Sequence, residues 1–349
     1  HAPAPWVLPV DELPPGDGLS TDVLLRQTIE QFAARPFDLA RGPVLRTAVL
    51  RLAPADHVLM FCLHHVAADG WSAAVLVEEL IAHYTAQAGG AMHDRPPLAV
   101  QYADYAAWER QRLQGDALER KLAYWRDALA DVPVLDLPLD RPRQAGQQYR
   151  PAQATRVFGA QLSAGLRKFA ADTASTLFMT TLAGFAAWLS RYTAQTDVCV
   201  GTPVANRPHA NLEALIGPFI NTLPLRIDVD TDPSFTQLAG RVRQRVLDAF
   251  ARQDVPFELL VERLGVPRDL LHSPLFQVLF VFQNAPRAAA ELPGLTASLV
   301  PIDEPGLKFD LTASFAEVDD RLQVQLTYNA DLIEQATAGP AATRNRGAA

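Results

Sequence analysis

The residues of this 349-residue chain best suited to chemistry fall in one stretch, Leu63-His64-His65-Val66-Ala67-Ala68-Asp69-Gly70-Trp71-Ser72. Imidazole gains and loses a proton near neutral pH, which suits it to acid, base or orienting work. The stretch lies where an apolar run, Val58 to Val66, gives way to a helical period, and sites are commonly built at such strand ends. Alternation along a strand sends His64 and His65 to opposite sides, so only one of them faces a given cavity. Gly70 permits a close turn. Asp69, four residues past His65, is within reach of the imidazole or of a cation from another segment. A histidine satisfied inside a core is the alternative reading. A metal site lacks a further His, Cys or carboxylate cluster at ligand spacing, and no Gly-x-Ser-x-Gly elbow supports serine hydrolysis.

The elements that must position this stretch are legible around it. Val44 to Leu52 and Val58 to Val66, parted by Pro54, Ala55 and Asp56, predict a hairpin of buried strands. Ser72 is the expected N-cap of a helix reaching about Ala88, with Leu76, Leu80 and Tyr84 on one face. A polar helix is expected over Tyr102 to Ala130, and the prolines between Val132 and Pro151 make that segment an extended connection. Phe178, Leu182, Phe185, Leu189 and Tyr192 recur by fours and threes, as on a helix packed against a sheet. Asp197 to Val204 reads as a buried strand, and Ser234 starts a helix with Leu238, Val242 and Val246 facing inward. Leu275 to Phe282 is apolar on both faces apart from Gln277, whereas Leu322 to Asn329 alternates and predicts one wet face. Strands and helices intermix without internal repeat, which predicts two layered α/β lobes.

Composition limits the function. A chain of this length exceeds the size at which single cores tend to split, about 250 to 300 residues. The net charge of -8 offers no basic field for nucleic acid. The longest apolar runs fall far short of the roughly 18 residues that a membrane span needs, and no signal peptide is visible. Cys62 and Cys199 sit in strand-like runs and read as reduced, buried thiols. The expectation is a cytoplasmic protein with no nucleic-acid, membrane or metal partner.

Further stretches accompany the histidines in a fixed order. They are Tyr102-Ala103-Asp104-Tyr105-Ala106-Ala107-Trp108; Ile216-Gly217-Pro218-Phe219-Ile220-Asn221-Thr222 leading to Arg226; Arg252-Gln253-Asp254-Val255-Pro256-Phe257-Glu258; and Arg268-Asp269 before Ser273-Pro274-Leu275-Phe276-Gln277. With the flanking Phe37-Asp38-Leu39 and Lys308-Phe309-Asp310-Leu311-Thr312, this series resembles the later core motifs of the condensation domains of nonribosomal peptide synthetases. The resemblance implies two chloramphenicol acetyltransferase-like α/β sandwich lobes in a V arrangement with a tunnel between them. We place the first lobe at residues 1–110 and the second, with its connecting helix, at 111–349. The small, polar segment from Gly339 onward is expected to be disordered.

The resemblance also implies an activity: an acceptor aminoacyl amine attacks a donor acyl or peptidyl thioester, and both are tethered to 4'-phosphopantetheine arms of carrier proteins. Holding both ends in attack geometry lowers a barrier strongly, since effective molarities reach about 10^5 to 10^8 M. No cofactor is then needed by the domain itself. The implied partners are upstream and downstream peptidyl carrier domains and the adenylation domain of the same synthetase. By resemblance His65, Asp69 and Gly70 form the catalytic motif. His65 acts as base or orienting group, Asp69 as a buried anion paired with Arg226, and Gly70 through its N–H or its turn. His64, Trp71, Ser72, Asn221 and Arg226 are structural or tunnel-lining. The histidines argue against cyclising members, and the stretch from Arg252 to Glu258 against epimerising ones. The run from Ser273 to Asn284 resembles members that join an L-configured donor to an L-configured acceptor. The family's two earliest motifs find no counterpart before Phe37, from which we expect an uncovered apolar face on the first lobe. Two alternatives stand beside this reading: a coenzyme-A-dependent acyltransferase of the same superfamily, and an inactive carrier-docking fragment.

Overall fold

The computed structural model describes residues 6–14, 19–89, 96–143, 150–230, 232–266, 271–283, 292–300 and 309–338. Arg268, Asp269, Asn284, Lys308 and the segment from Gly339 lie outside them. The described residues form two compact units that interleave in sequence, whereas the sequence reading drew one cut after residue 110. The first unit takes the residues up to Tyr102 together with Arg207–Phe219 and 292–300, and the second takes the remainder.

In the first unit, β1 (Val10–Glu12) runs parallel to β2 (Leu45–Ala53), which pairs antiparallel with β3 (Asp56–Leu63). The expected hairpin is present, turning between Ala53 and Asp56. Helix α1 (Thr21–Ala34) starts where the Ser20 side chain accepts the Val23 N–H, and its Ile29 and Phe32 close a small core over Ala48, Leu50 and Met60. Helix α2 (Gly70–Gln87) follows the histidine loop.

The second unit carries the larger core. It contains α3 (Tyr102–Arg112, from its second residue onward), α4 (Gly115–Ala128), β4 (Pro151–Val157), α5 (Ala160–Asp172), α6 (Leu177–Thr193), β5 (Asp197–Val204), β6 (Asn221–Asp228), α7 (Phe235–Phe250), α8 (Phe257–Leu264), β7 (Val278–Gln283), β8 (Leu311–Val318) and β9 (Arg321–Asn329). Its sheet has the order β4-β9-β8-β7-β5-β6, parallel only on the two sides of β7. The stripe on α6 packs as its period requires, with Leu182, Phe185 and Leu189 buried. Helix α7 begins with a capping box between Ser234 and Gln237 and buries Leu238, Val242 and Val246.

Two expectations need correction here. The helix expected over Tyr102 to Ala130 is two helices, because Gly115 adopts φ 55, a left-handed conformation that glycine takes at no steric cost. The wet face expected for β9 is dry toward its end, where Thr327 and Asn329 are buried. That strand lies between β4 and β8, and the Asn329 side chain accepts the N–H groups of Arg150 and Asp331. The one polar residue in the apolar run at 275–282, Gln277, is also buried. Its Oε1 accepts the Leu135 N–H at 2.8 Å and its Nε2 donates to the Ser273 carbonyl at 3.0 Å, so it ties the extended connection to the sheet. Cys62 and Cys199 are both free thiols, and burial pushes the Cys199 thiol up to about 12.

Gly201 of β5 faces the fully buried Phe276 ring, and a Cβ there would overlap that ring. Gly201→Ala is therefore expected to destabilise the second unit by about 1 to 3 kcal/mol through overpacking. Adding Phe276→Leu should recover part of the loss. Urea unfolding of the single and double variants measures both effects.

Candidate active site

Strand β3 ends at Leu63, one residue before the histidines. The His64 N–H still donates to the Val44 carbonyl, and the chain then turns, with the Ala67 N–H donating to the His64 carbonyl. The two imidazoles are thus separated by a turn, not by strand alternation. His64 is half-buried, its Nδ1 accepts the Val66 N–H at 3.1 Å, and its ring meets Phe37 edge-on at 5.8 Å. This acceptor role fixes Nδ1 as the unprotonated nitrogen. His65 is exposed, and among the described residues its imidazole makes no hydrogen bond or ion pair. One histidine is locked into the loop, and the other is presented by it.

What holds the loop is Asp69. Its side chain, and not that of Ser72, caps α2: Oδ1 accepts the Ser72 N–H at 2.8 Å, so the helix begins at Gly70, three residues earlier than the sequence period suggested. The same carboxylate accepts the Phe219 N–H at 3.1 Å through Oδ2 and pairs with Arg207, whose Nη2 lies 3.2 Å from Oδ1. Both side chains of this pair are only 2% exposed. Ser72 lies inside the same network. Its hydroxyl is 2.7 Å from Asp69 Oδ1 and 2.9 Å from the Gly217 carbonyl, and its oxygen accepts the Gly217 N–H and an Arg207 N–H, each at 3.0 Å.

Arg207 ties the network to its own segment. Its Nη1 donates to the carbonyls of Leu212 and Leu215, and its guanidinium stacks on the Phe219 ring at 3.9 Å, with Trp71 at 5.8 Å on another side. The Trp71 indole N–H donates to the Glu213 carbonyl at 2.8 Å. Tyr102 meets Phe219 edge-on and leaves room for Gly217 only because that residue has no Cβ. Three motif stretches and Arg207 thus converge on one buried carboxylate. Gly70 needs no special backbone conformation, because it is the first residue of α2, and a Cβ there would meet nothing within 4 Å. A side chain at this position would meet open space at the helix start.

The expected pairing of Asp69 with Arg226 is replaced by two local pairs. Arg226, in the second unit, is held by Asp197 through Nε at 2.9 Å and Nη2 at 2.6 Å and donates to the Ala130 carbonyl. The hydrogen bond to Asp197 is the main cause of its raised pKa. Its neighbour across the antiparallel β5–β6 pair is Cys199, and Asp197 lies two residues back on that strand, so the partner is supplied within the sheet. Asn221 is also fully engaged. Its Nδ2 donates to the carbonyls of Gln253 and Val255, and its Oδ1 accepts the N–H groups of Thr222 and Phe257. It clamps the Arg252–Glu258 stretch and leaves no polar atom for a substrate. Asp254 of that stretch is buried and ion-paired with Lys121 and Arg112. Sequence reasoning missed Arg207 because it stands 138 residues from Asp69. The available signal was an arginine three residues past the buried β5 run, where a charge needs a partner.

These features coincide with a family. The Condensation domain model matches residues 19–344, so the chain belongs to the condensation-domain family. In nonribosomal peptide synthetases, members of this family form peptide bonds by acyl transfer. Relatives include linear gramicidin synthase subunits C and D of Brevibacillus parabrevis. They are 46% and 42% identical over 87% and 90% of this chain, which spans only 4% and 6% of their lengths. Among solved structures, the X-domain from teicoplanin biosynthesis superposes with a TM-score of 0.86 at 31% identity, over 99% of this chain and 78% of that one. The fold is that of the chloramphenicol acetyltransferase-like condensation domains.

Removing one partner of a buried ion pair strands the other charge, at a cost of about 3 to 5 kcal/mol. Arg207→Ala is therefore expected to destabilise the first unit by about that much. Arg226→Ala, whose pair is 27% and 34% exposed, should cost about 1 kcal/mol or less. Chemical denaturation of both variants tests this order, and equal losses would contradict the assignment of Asp69 to Arg207.

Proposed function

We propose that this chain forms an amide bond between a donor acyl or peptidyl thioester and an acceptor aminoacyl amine, both carried on phosphopantetheine arms of carrier domains. The carrying observation is the division between the two histidines: one imidazole is fixed by a backbone N–H, and its neighbour is left free at the rim of a loop anchored by a buried carboxylate. As the amine attacks the thioester carbonyl, its nitrogen becomes cationic and its proton needs an acceptor. Neutral His65 takes that proton or orients the amine lone pair. The thiol of the donor arm leaves with a proton, which restores neutral imidazole and balances the step. Gly70, lacking a Cβ, leaves space for the reacting ends at the start of α2, where unpaired backbone N–H groups favour developing negative charge.

On this reading the working partners are an upstream and a downstream carrier domain and an adenylation domain of the same synthetase, which places the work in the cytoplasm. The run from Ser273 supports an L-configured donor and acceptor. Relatives named as gramicidin synthase subunits support a place in secondary-metabolite assembly.

In single-turnover transfer between two loaded carriers, His65→Ala is expected to lose about 10^2 to 10^4-fold in rate if the imidazole transfers the proton. Its melting temperature should be unchanged, because the ring is exposed and makes no hydrogen bond or ion pair among the described residues. His64→Ala should lower the melting temperature instead. Gly70→Ala should fold normally and slow transfer by crowding the approach. Near wild-type transfer by folded His65→Ala would overturn the proposal.

A further inference from the structure

The loop that presents His65 is anchored at its far end by Asp69, and the first unit holds its near end as well. Strand β2 places Arg46 opposite Cys62 of β3, and His64, whose N–H continues the ladder to the Val44 carbonyl, lies two residues past Cys62. Alternation turns the side chains of Arg46, Cys62 and His64 to the same face. That face is the one α1 covers, and Ala48, Leu50 and Met60 make it an apolar core. Arg46 ends this core with a cation, on the side of the histidines.

The guanidinium is gripped from several directions. Its Nη2 donates to the carbonyls of Phe32 and Arg35 at the C-terminal end of α1, at 2.8 and 3.0 Å, and lies 3.6 Å from Cys62 Sγ. A cation suits that helix end. Its central carbon lies 5.2 Å from the centre of the Phe32 ring and 4.6 Å from that of Phe37. An aliphatic side chain would complete the core with no charge to desolvate. What the arginine adds is a plane stacked on Phe37.

Phe37 passes that contact on. Its ring meets the His64 imidazole edge to face, with centres 5.8 Å apart and planes at 85°. His64 in turn accepts the Val66 N–H through Nδ1. Arg46, Phe37, His64 and the backbone of Val66 form one packed series, and His65 stands between its last two members.

We infer that Arg46 and Phe37 are positioning residues for acyl transfer: they hold the His64 ring against the Val66 N–H and so fix the direction in which His65 is presented. The inference rests on the role proposed above for His65. Without the stack the His64 ring is free to turn, the Val66 N–H loses its acceptor, and the loop gains play beside the reacting groups. Misplacement by about 1 Å can cost about 10^2-fold in rate.

Single-turnover transfer between loaded carriers, measured on variants of the 349-residue chain, tests this. Arg46→Lys keeps the charge and a donor for the end of α1 but loses the plane, and Phe37→Leu keeps an apolar side chain but loses the ring. Each is expected to slow transfer about ten- to hundredfold while retaining a cooperative melting transition. Phe37→Tyr, which keeps the ring, should restore transfer to near the wild-type rate. In a His65→Ala background, Arg46→Lys and Phe37→Leu should slow transfer no further, because the group they position is gone. Losses that multiply with that of His65→Ala, or wild-type rates in both folded single variants, would overturn the inference. If Arg46→Lys fails to fold, the comparison of Phe37→Leu with Phe37→Tyr decides. A second readout does not depend on transfer. Long-range nitrogen–proton correlation spectra should show His64 as the single tautomer protonated on Nε2 in the wild-type chain and in Phe37→Tyr, and as a mixture in Arg46→Lys and Phe37→Leu. An unchanged tautomer in both of the latter would sink the hold on His64. A wild-type chain that transfers nothing while the tautomer responds as expected would count against the role of His65 and leave that hold standing.

Discussion

A charge taken out of water must be met by another charge and by enough hydrogen bonds to replace its hydration. Asp69 is the case on which the first unit depends. Its two oxygens receive the Ser72 N–H, the Phe219 N–H and the Arg207 guanidinium, while the Ser72 hydroxyl lies within 2.7 Å. Each donor comes with backbone attached, so one carboxylate starts α2, seats the segment from Arg207 to Phe219, and sets where the loop from His64 to Asp69 ends. Charge-assisted hydrogen bonds in so dry a place are strong and directional. The exposed His65 owes its position to this network without contacting it, so rigidity at the loop is provided by residues that need not take part in proton transfer.

The second unit solves a similar problem with different parts. Asn221 spends all four of its hydrogen bonds on neighbouring backbone, and Asp254 is buried against Arg112 and Lys121. Asn221, expected to be structural or tunnel-lining, and Asp254, a residue of the Arg252–Glu258 stretch, both hold neighbouring segments in place. Such positions are demanding for a physical reason: a buried amide or carboxylate has few alternative partners, and losing one bond leaves a polar group stranded.

The sequence by itself determined the local elements and the chemistry on offer. Period and capping residues gave the β2–β3 hairpin, α6, α7 and β5, because alternation and 3.6-residue spacing record which faces are dry. The spacing of His65, Asp69 and Gly70, in order with the later stretches, carried the family. Tertiary structure alone decided the pairings. Arg207 follows β5 and Arg226 lies within β6, and nothing in their spacing says which one reaches Asp69; the β5–β6 register gives Arg226 to Asp197 and leaves Arg207 for the buried carboxylate. The cap of α2 passed from Ser72 to Asp69 for a similar reason. Either residue can cap a helix in isolation, and the choice rests on Gly217 and Arg207, which occupy the Ser72 hydroxyl from a segment some 135 to 145 residues away. Local propensity is written in neighbours along the chain, whereas the compensation of a buried charge depends on which distant segments the fold brings together.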